Sequence, residues 1–301
     1  ESGGEVIEGL LVAVPKDVID RSDYDPTQLT YFEKMTGIKK TRRWFHSTEE
    51  TIIKVIKEFN LKDNLGHIDS VIVVTQTPTR LSPPMAMTVI HELGLPPEVM
   101  GFDINQSCTG FIYGMHVAKS LGGRTLLVCI DQLRYGGEKP GDMGALIFSD
   151  AISFTVLSGY AGNTLRCGYK TFASGKDKLY SSIDGTMKMV GSEVFDFATR
   201  EVPPFIKLAL SGFDAQAIVM HQANESMMDL IIKRSEFSGY VPKSIQEFGN
   251  CSMNSIPVTI AANEEALINE RLLLVGFGAG WSLAGAALQW PDKKVSRVVQ
   301  L

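Results

Sequence analysis

The stretch Asp103-Ile-Asn-Gln-Ser-Cys108-Thr-Gly-Phe-Ile-Tyr-Gly-Met-His-Val-Ala-Lys-Ser-Leu121 sets a cysteine between an extended approach and a helical exit. Leu95-Pro-Pro and Gly101 punctuate the chain just before it, and residues 102–105 read as a short strand. From Thr109 onward, Phe111, Met115, Ala118 and Leu121 recur at steps of three and four, the period of a helix. Ser107 or Thr109 is placed to cap it. Cys108 then stands at a helix N-terminus, where unpaired N–H groups and the helix dipole favour an anion. Such a position makes thiolate available near neutral pH, and Thr109 and Gly110 leave room for a substrate carbonyl. Cysteine is also among the most buried residue types, and most lone cysteines are packing. A nucleophile needs a base, which the rest of the chain has to supply.

Working outward, buried strands alternate with helices. Residues 6–14 are strand-like up to Pro15, and residues 29–37 read as a helix ending at Gly37. Residues 48–60 read as an amphipathic helix with Ile52, Ile53, Ile56 and Phe59 on one face. Residues 70–75 form a β-branched run suited to a strand covered on both faces. Residues 85–93 are a further helix ended by Gly94, and residues 125–130 another buried strand in which Cys129 is core. Residues 136–144 read as a Gly- and Pro-containing loop, residues 145–157 as two strands across a Ser-Asp turn, and residues 159–180 as mainly strand. Residues 191–210 read as helix broken near Pro203-Pro204. In the second half, strand 217–220 runs into His221, a helix starts at Met227, and a polar turn at residues 249–257 feeds helix 258–267. Strand 272–280 ends in glycines, and residues 282–288 return as a strand. Residues 269–274 pass from a helical to a strand pattern without a turn signal, as if a loop were absent there. The alternation argues for a layered α/β fold.

The chain has 301 residues, enough for one large domain or two closely packed halves. A net charge of −5 gives no electrostatic footprint for nucleic acid. The four cysteines (Cys108, Cys129, Cys167, Cys251) are far apart, without metal-ligand spacing, as in a cytoplasmic protein with reduced thiols. No apolar run reaches the roughly 18 residues of a membrane span, and the N-terminus lacks a signal-peptide pattern. Lys39-Lys-Thr-Arg-Arg43 is a basic run, read as a solvated turn or else as a contact for a phosphate or an acidic carrier.

Three loops carry residues fit for acyl chemistry. Cys108 is the candidate nucleophile. His221, at a strand end and followed by Gln-Ala-Asn224, is the candidate base or hydrogen-bond donor. Asn250, after Gly249, is a neutral amide donor. Singly, these are a core cysteine, a buried histidine and a turn residue; together they are what acyl transfer through a thiolate requires. Phe277-Gly278-Ala279-Gly280 adds backbone N–H groups able to face an oxyanion. It lacks the third glycine of a dinucleotide fingerprint.

Ser-Cys108-Thr-Gly-Phe, His221-Gln-Ala-Asn, Gly-Asn250-Cys-Ser-Met-Asn-Ser-Ile-Pro and Phe277-Gly-Ala-Gly occur in that order. With residues 23–38, 147–150 and 187–195, they make the chain resemble the β-ketoacyl-acyl-carrier-protein synthase III family of the thiolase superfamily over nearly its whole length. The resemblance implies a five-layered α/β fold of two duplicated βαβαβ halves. Residues 1–157 would carry the nucleophile and residues 158–301 the His and Asn. It implies acyl loading on Cys108 and decarboxylative condensation with malonyl carrier protein. His221 and Asn250 would donate to the enolate, and the N–H groups of Cys108 and Ala279 would form an oxyanion hole. Asn224, Phe277, Gly278 and Gly191 would line the substrate site, with Lys233 and Arg234 meeting the carrier protein. No metal or other cofactor is implied. The partners are acyl carrier protein, an acyl donor on coenzyme A or carrier protein, and a second copy in a homodimer, with no nucleic acid. The sequence departs from the family at Tyr31 and Met35, at Met143, at Ser226 and at Ser82-Pro83. These departures point to a specialised member that takes its acyl group from a carrier protein. Two other readings share the motifs: an acyltransferase to an oxygen or nitrogen acceptor, and a non-catalytic subunit that binds carrier protein.

Overall fold

A computed structural model of the chain describes residues 6–135, 143–158, 165–182 and 186–301. The first half contains β1 (Ile7–Val14), α1 (Pro26–Thr36), α2 (Thr48–Glu58), α3 (Leu61–Asn64), β2 (Ser70–Val74) and α4 (Met85–Leu93). It continues with β3 (Met100–Ile104), α5 (Gly110–Leu121), β4 (Thr125–Asp131), β5 (Arg134–Tyr135) and β6 (Ala151–Leu157). The second half contains β7 (Leu165–Thr171), β8 (Leu179–Ser181), β9 (Thr186–Met189), α6 (Gly191–Leu210), β10 (Ala217–Met220) and α7 (Glu225–Ser235). After these come α8 (Ile245–Phe248), α9 (Ser255–Asn263), β11 (Arg271–Gly278), β12 (Ser282–Gln289) and β13 (Ser296–Gln300).

Two sheets share one plan. The first runs β1-β6-β4-β2-β3 and the second β7-β12-β11-β10. Tyr240 bridges Ala217 in parallel at the outer edge of β10, where a fifth strand would stand. Across each sheet the pairings are antiparallel, antiparallel, parallel, parallel. The strands also come in the same chain order: first, fifth, fourth, second, third. Such agreement in order and direction is the mark of a duplicated unit. β13 adds to the first sheet, parallel to β1, with Leu10 opposite Ser296. β5, β9 and β8 form a small separate sheet.

Burial explains the layering. Every residue of β2 and β4 is buried, so each face of the first sheet must be covered. Helices α5 and α9 lie between the two sheets, sharing one apolar core with both. α2 and α4 cover the outer face of the first sheet, and α6 and α7 that of the second. The result is the five-layered α/β fold that the sequence implied. α5 lies close to its sheet: a β-carbon on Gly114 would stand 2.5 Å from Leu127. The close approach accounts for a glycine inside a helix, where it costs about 0.5–1 kcal/mol against alanine. Among the described residues, no helix is long and apolar enough to cross a membrane.

Several local expectations are corrected. Residues 145–157 are not two strands: a single 3-10 turn (Met143–Leu146) precedes β6. Ser149 N–H donates to the Asn250 carbonyl at 3.0 Å, and the Asp150 carboxylate takes Trp44 N–H at 2.9 Å and the Arg134 guanidinium. The segment is thereby pinned to other loops instead of folding back on β6. α6 runs unbroken through Pro203 and Pro204. The carbonyl that Pro203 leaves without a helix partner, that of Thr199, accepts Arg234 Nη1 at 2.7 Å. α9 begins at Ser255, with Pro257 in its first turn, where no helical N–H is needed. Asn269, at φ 58°, makes the turn into β11, where no turn had been expected.

The basic run is solvated only at Lys39 and Lys40, and its arginines are tied into the fold. Arg42 is buried, and its guanidinium binds the Glu247 carboxylate at 2.6 Å and the Glu247 carbonyl. Lys40 pairs with the same carboxylate at 2.7 Å, and Arg43 donates to the Ala145 carbonyl. Of the expected loop at residues 136–144, residues 136–142 lie outside the described residues, as do residues 159–164 of the region expected to be mainly strand.

Candidate active site

Cys108 occupies the turn between β3 and α5. Gly110 N–H donates to the Ser107 carbonyl at 2.6 Å, which tightens this turn. Neither hydroxyl caps α5 as expected, because no side chain makes the cap hydrogen bond. The Thr109 hydroxyl instead accepts from Gln106 Nε2 at 2.7 Å and meets the Ser282 hydroxyl at 3.2 Å. The nucleophile loop is thus anchored to β12 in the other half.

His221 directly follows β10, and its backbone N–H donates to the Val275 carbonyl at 2.8 Å. Its ring meets Phe277 edge-on, with centroids 5.4 Å apart and an interplanar angle of 79°. His221 Nδ1 is buried with no protein partner among the described residues. Asn250 is fixed by its backbone N–H to the Ile147 carbonyl at 3.2 Å. Its Oδ1 accepts the Ser252 N–H at 2.9 Å. With Oδ1 engaged, the carboxamide has its Nδ2 hydrogens left to donate.

Cys108, His221 and Asn250 line one cavity of about 180 Å³. Its walls are apolar and include Ile38, Phe148, Leu179, Met187, Met189 and Phe277. Asn224, Gly191 and Gly278 line it as well. Asn224 also caps α7, its Oδ1 accepting Met227 N–H at 3.0 Å. Of the other expected site residues, Ala279 lies just past the end of β11 and does not line the cavity; its carbonyl accepts the Ser282 hydroxyl at 3.1 Å. Lys233 and Arg234 are in the last turn of α7, at the far end from the cavity, where Arg234 holds the Thr199 carbonyl. Tyr31 and Met35 are exposed on α1, and the Ser226 hydroxyl donates to the Met35 carbonyl at 3.0 Å.

The four cysteines differ sharply. Burial pushes up the thiols of Cys129, Cys167 and Cys251, the last to about 12. Burial acts on Cys108 in the same direction. There the charge and hydrogen bonding of His221, aided by the hydroxyls of Ser107 and Ser252, outweigh it and hold the thiol below its ordinary value. Cys108 is therefore the thiol equipped to form thiolate.

Two residues in the neighbourhood had no sequence cue. Ser252, at φ 51°, lies with its Oγ 4.0 Å from Cys108 Sγ and 2.9 Å from Asp131 Oδ2. Asp131 ends β4 and is 3% exposed. Burial pushes its carboxyl up to about 7, against the hydrogen bonds from Gln76 and Ser252.

Comparison with known proteins gives a consistent result. The profile described as 3-oxoacyl-[acyl-carrier-protein (ACP)] synthase III C terminal matches residues 207–290. The β-ketoacyl-[acyl-carrier-protein] synthase III of Staphylococcus epidermidis is 30% identical over 315 residues, covering 94% of this chain and 98% of that protein. Among solved structures, a 3-oxoacyl-(acyl-carrier protein) synthase from Burkholderia xenovorans superposes with a TM-score of 0.88 at 25% identity, covering 100% of this chain and 97% of that one. The β-ketoacyl-[acyl carrier protein] synthase III of Thermus thermophilus superposes with a TM-score of 0.84 at 27% identity, covering 96% and 100%.

Proposed function

Because the chain belongs to the β-ketoacyl-acyl-carrier-protein synthase III family, we propose that Cys108 is its acyl-carrying nucleophile and that His221 and Asn250 serve the condensation step. The chain is a condensing enzyme of the synthase III kind. The observation that carries the residue assignment is the meeting of these three side chains in one apolar cavity, with Cys108 the thiol held low.

The chemistry follows from what each group can do. The Cys108 thiolate attacks an acyl thioester; the carbon–sulfur bond of the donor breaks and the acyl group passes to Sγ. The Cys108 N–H faces the oxyanion formed there; the expected second donor, the N–H of Ala279, belongs to a residue just past Gly278 at the cavity wall. Malonyl carrier protein then enters. Loss of carbon dioxide leaves an enolate whose thioester oxygen receives hydrogen bonds from His221 and Asn250 Nδ2. The carbanion attacks the acyl-enzyme and frees Cys108 as thiolate. Asn224, Gly191, Phe277 and Gly278 shape the cavity around the acyl and pantetheine portions.

The overall reaction class is acyl transfer, with the nucleophile supplied by residues 1–157 and its partners by residues 158–301. The carrier protein approaches from the side of Lys233 and Arg234, and the enzyme works as a cytoplasmic homodimer. The open edge of the first sheet at β3 and the exposed side chain of Met100 suit pairing with a second copy.

The test is intact-protein mass spectrometry after incubation with acyl-coenzyme A and acyl-carrier-protein donors, with Cys108→Ala as control. A Cys108-dependent gain of one acyl group supports the nucleophile, and carbon dioxide release on adding malonyl carrier protein supports condensation. An adduct that turns over only onto an oxygen or nitrogen acceptor would replace condensation with simple transfer. No adduct with any donor would leave a non-catalytic carrier-binding subunit.

A further inference from the structure

Behind Cys108 lies a carboxyl group that the reaction above does not use. Asp131 does not line the cavity, and no cation among the described residues pairs with it. Its donors are uncharged: Gln76 N–H at 2.7 Å to Oδ1, Gln76 Nε2 at 2.7 Å to Oδ2, and the Ser252 hydroxyl at 2.9 Å to Oδ2. Ser252 stands between this carboxyl and the sulfur, 4.0 Å from Cys108 Sγ, within hydrogen-bond range for sulfur. Its backbone sits at φ 51°, a region unfavourable for a residue with a β-carbon. It is kept there by its N–H bond to Asn250 Oδ1 at 2.9 Å. One serine therefore touches the nucleophile, the amide donor and the buried carboxyl.

A hydroxyl has a single proton to give. When Asp131 is ionised, the Ser252 O–H points to it, and Ser252 turns only oxygen lone pairs to the sulfur, which keeps the Ser107 hydroxyl at 3.5 Å and His221. When Asp131 carries a proton, it donates to Ser252 Oγ, and the Ser252 O–H turns to Sγ, where a thiolate accepts it. We infer that Asp131 is a positioning residue for the nucleophile: its charge state sets whether Ser252 adds a hydrogen-bond donor to those that His221 and Ser107 already turn to the sulfur. The inference rests on Cys108 being the nucleophile. Both states of Asp131 are populated near neutrality, since burial brings its carboxyl to about 7. The titratable groups that face it are Asp150, which is paired with Arg134, Cys129 on the same strand, and Cys108 with His221 beyond Ser252.

The experiment is the pH dependence of Cys108 alkylation by iodoacetamide in the full chain, followed by mass spectrometry of the Cys108 peptide. Asp131→Asn keeps Oδ1 for Gln76 N–H and gives Ser252 Oγ a permanent donor, while the Gln76 carboxamide, which now donates to Oδ2, must turn its oxygen to the new Nδ2. The alkylation midpoint is expected to fall by about one pH unit, the scale of one added hydrogen bond together with one removed like charge. Ser252→Ala is expected to raise the midpoint, and Asp131→Asn to have little effect in that background. An unchanged midpoint in Asp131→Asn, or a full effect that persists without Ser252, overturns the inference. If Asp131→Asn does not fold, Asp131→Ala replaces it: with no carboxylate to take the Ser252 O–H, a lowered midpoint that disappears in the Ser252→Ala background supports the inference, and an unchanged midpoint overturns it. A purely structural role for Asp131 would lower folded yield without moving this pH profile. Alkylation reads the thiolate whatever the substrate, so normal midpoint shifts without acyl loading would count against the proposed function and not against this one.

Discussion

Gly278 lies so close to Cys108 that a β-carbon on it would stand 2.9 Å from Sγ. Such a separation is shorter than ordinary contact, so the end of β11 is shaped to let the sulfur reach the cavity. Gly278→Ala is expected to keep the fold but slow acyl loading at least about tenfold, as a displaced nucleophile does. Loading followed by intact mass, beside an unchanged circular dichroism spectrum, checks this. Wild-type loading would mean that the sulfur works from another position.

His221 sets the ionisation of Cys108. The thiol is an acid whose ionised form reacts, so alkylation rises as pH passes its midpoint, which here lies below the ordinary thiol range. In His221→Ala the burial of Cys108 acts with its main opponent gone. The midpoint is expected to rise by one pH unit or more, the usual scale for loss of a neighbouring charge. An unmoved midpoint would assign the low thiol to its hydroxyl neighbours instead.

Asn250 should separate the two halves of the reaction. In the proposed mechanism its Nδ2 hydrogens serve the enolate and not the first acyl transfer. Asn250→Ala is expected to load acyl groups within about threefold of wild type and to condense roughly 10²–10³-fold more slowly, the cost of one lost donor at a developing oxyanion. Single-turnover loading and carbon dioxide release, measured side by side, test the split. Equal losses in both steps would assign Asn250 to general site structure.

Arg234 and Pro203 are coupled through the Thr199 carbonyl. Arg234→Ala strands that carbonyl and should destabilise the chain by about 1–3 kcal/mol in urea unfolding. With Pro203→Ala, an alanine N–H can take the carbonyl and complete the helix, so the loss at Arg234 should shrink. Additive effects in the double variant would break the link. The same pairing makes Arg234 a structural residue as well as a proposed contact for a carrier protein.

Much of this architecture was readable one segment at a time. The mainly apolar, fully buried β2 and β4 and the Gly94 stop of α4 carry local signals that the fold preserves. Other cues were present but unused: Asp25-Pro26 begins α1 with a cap and a first-turn proline, and Ser47 with Glu50 forms a capping box ahead of α2. What could not be read depends on residues distant in the chain. Arg42 meets Glu247, and Thr199 meets Arg234 on another helix. The site divides in the same way. Cys108, His221 and Asn250 each follow a strand or a glycine, so their loops stood out. Asp131 closes an apolar strand, and its position becomes informative only once the Asn250 loop brings Ser252 against it.

β13 has a consequence for the order in which the molecule is made. β1 is the first described strand to leave the ribosome and β13 the last, yet they pair side by side in one sheet. The amino-terminal sheet can assemble as far as β1 while translation continues, but its outer edge stays bare until the final strand emerges. Completion of the sheet built around β1 therefore waits for a strand made nearly 300 residues later, and a nascent chain stalled before β13 displays a β-edge that the pairing otherwise covers.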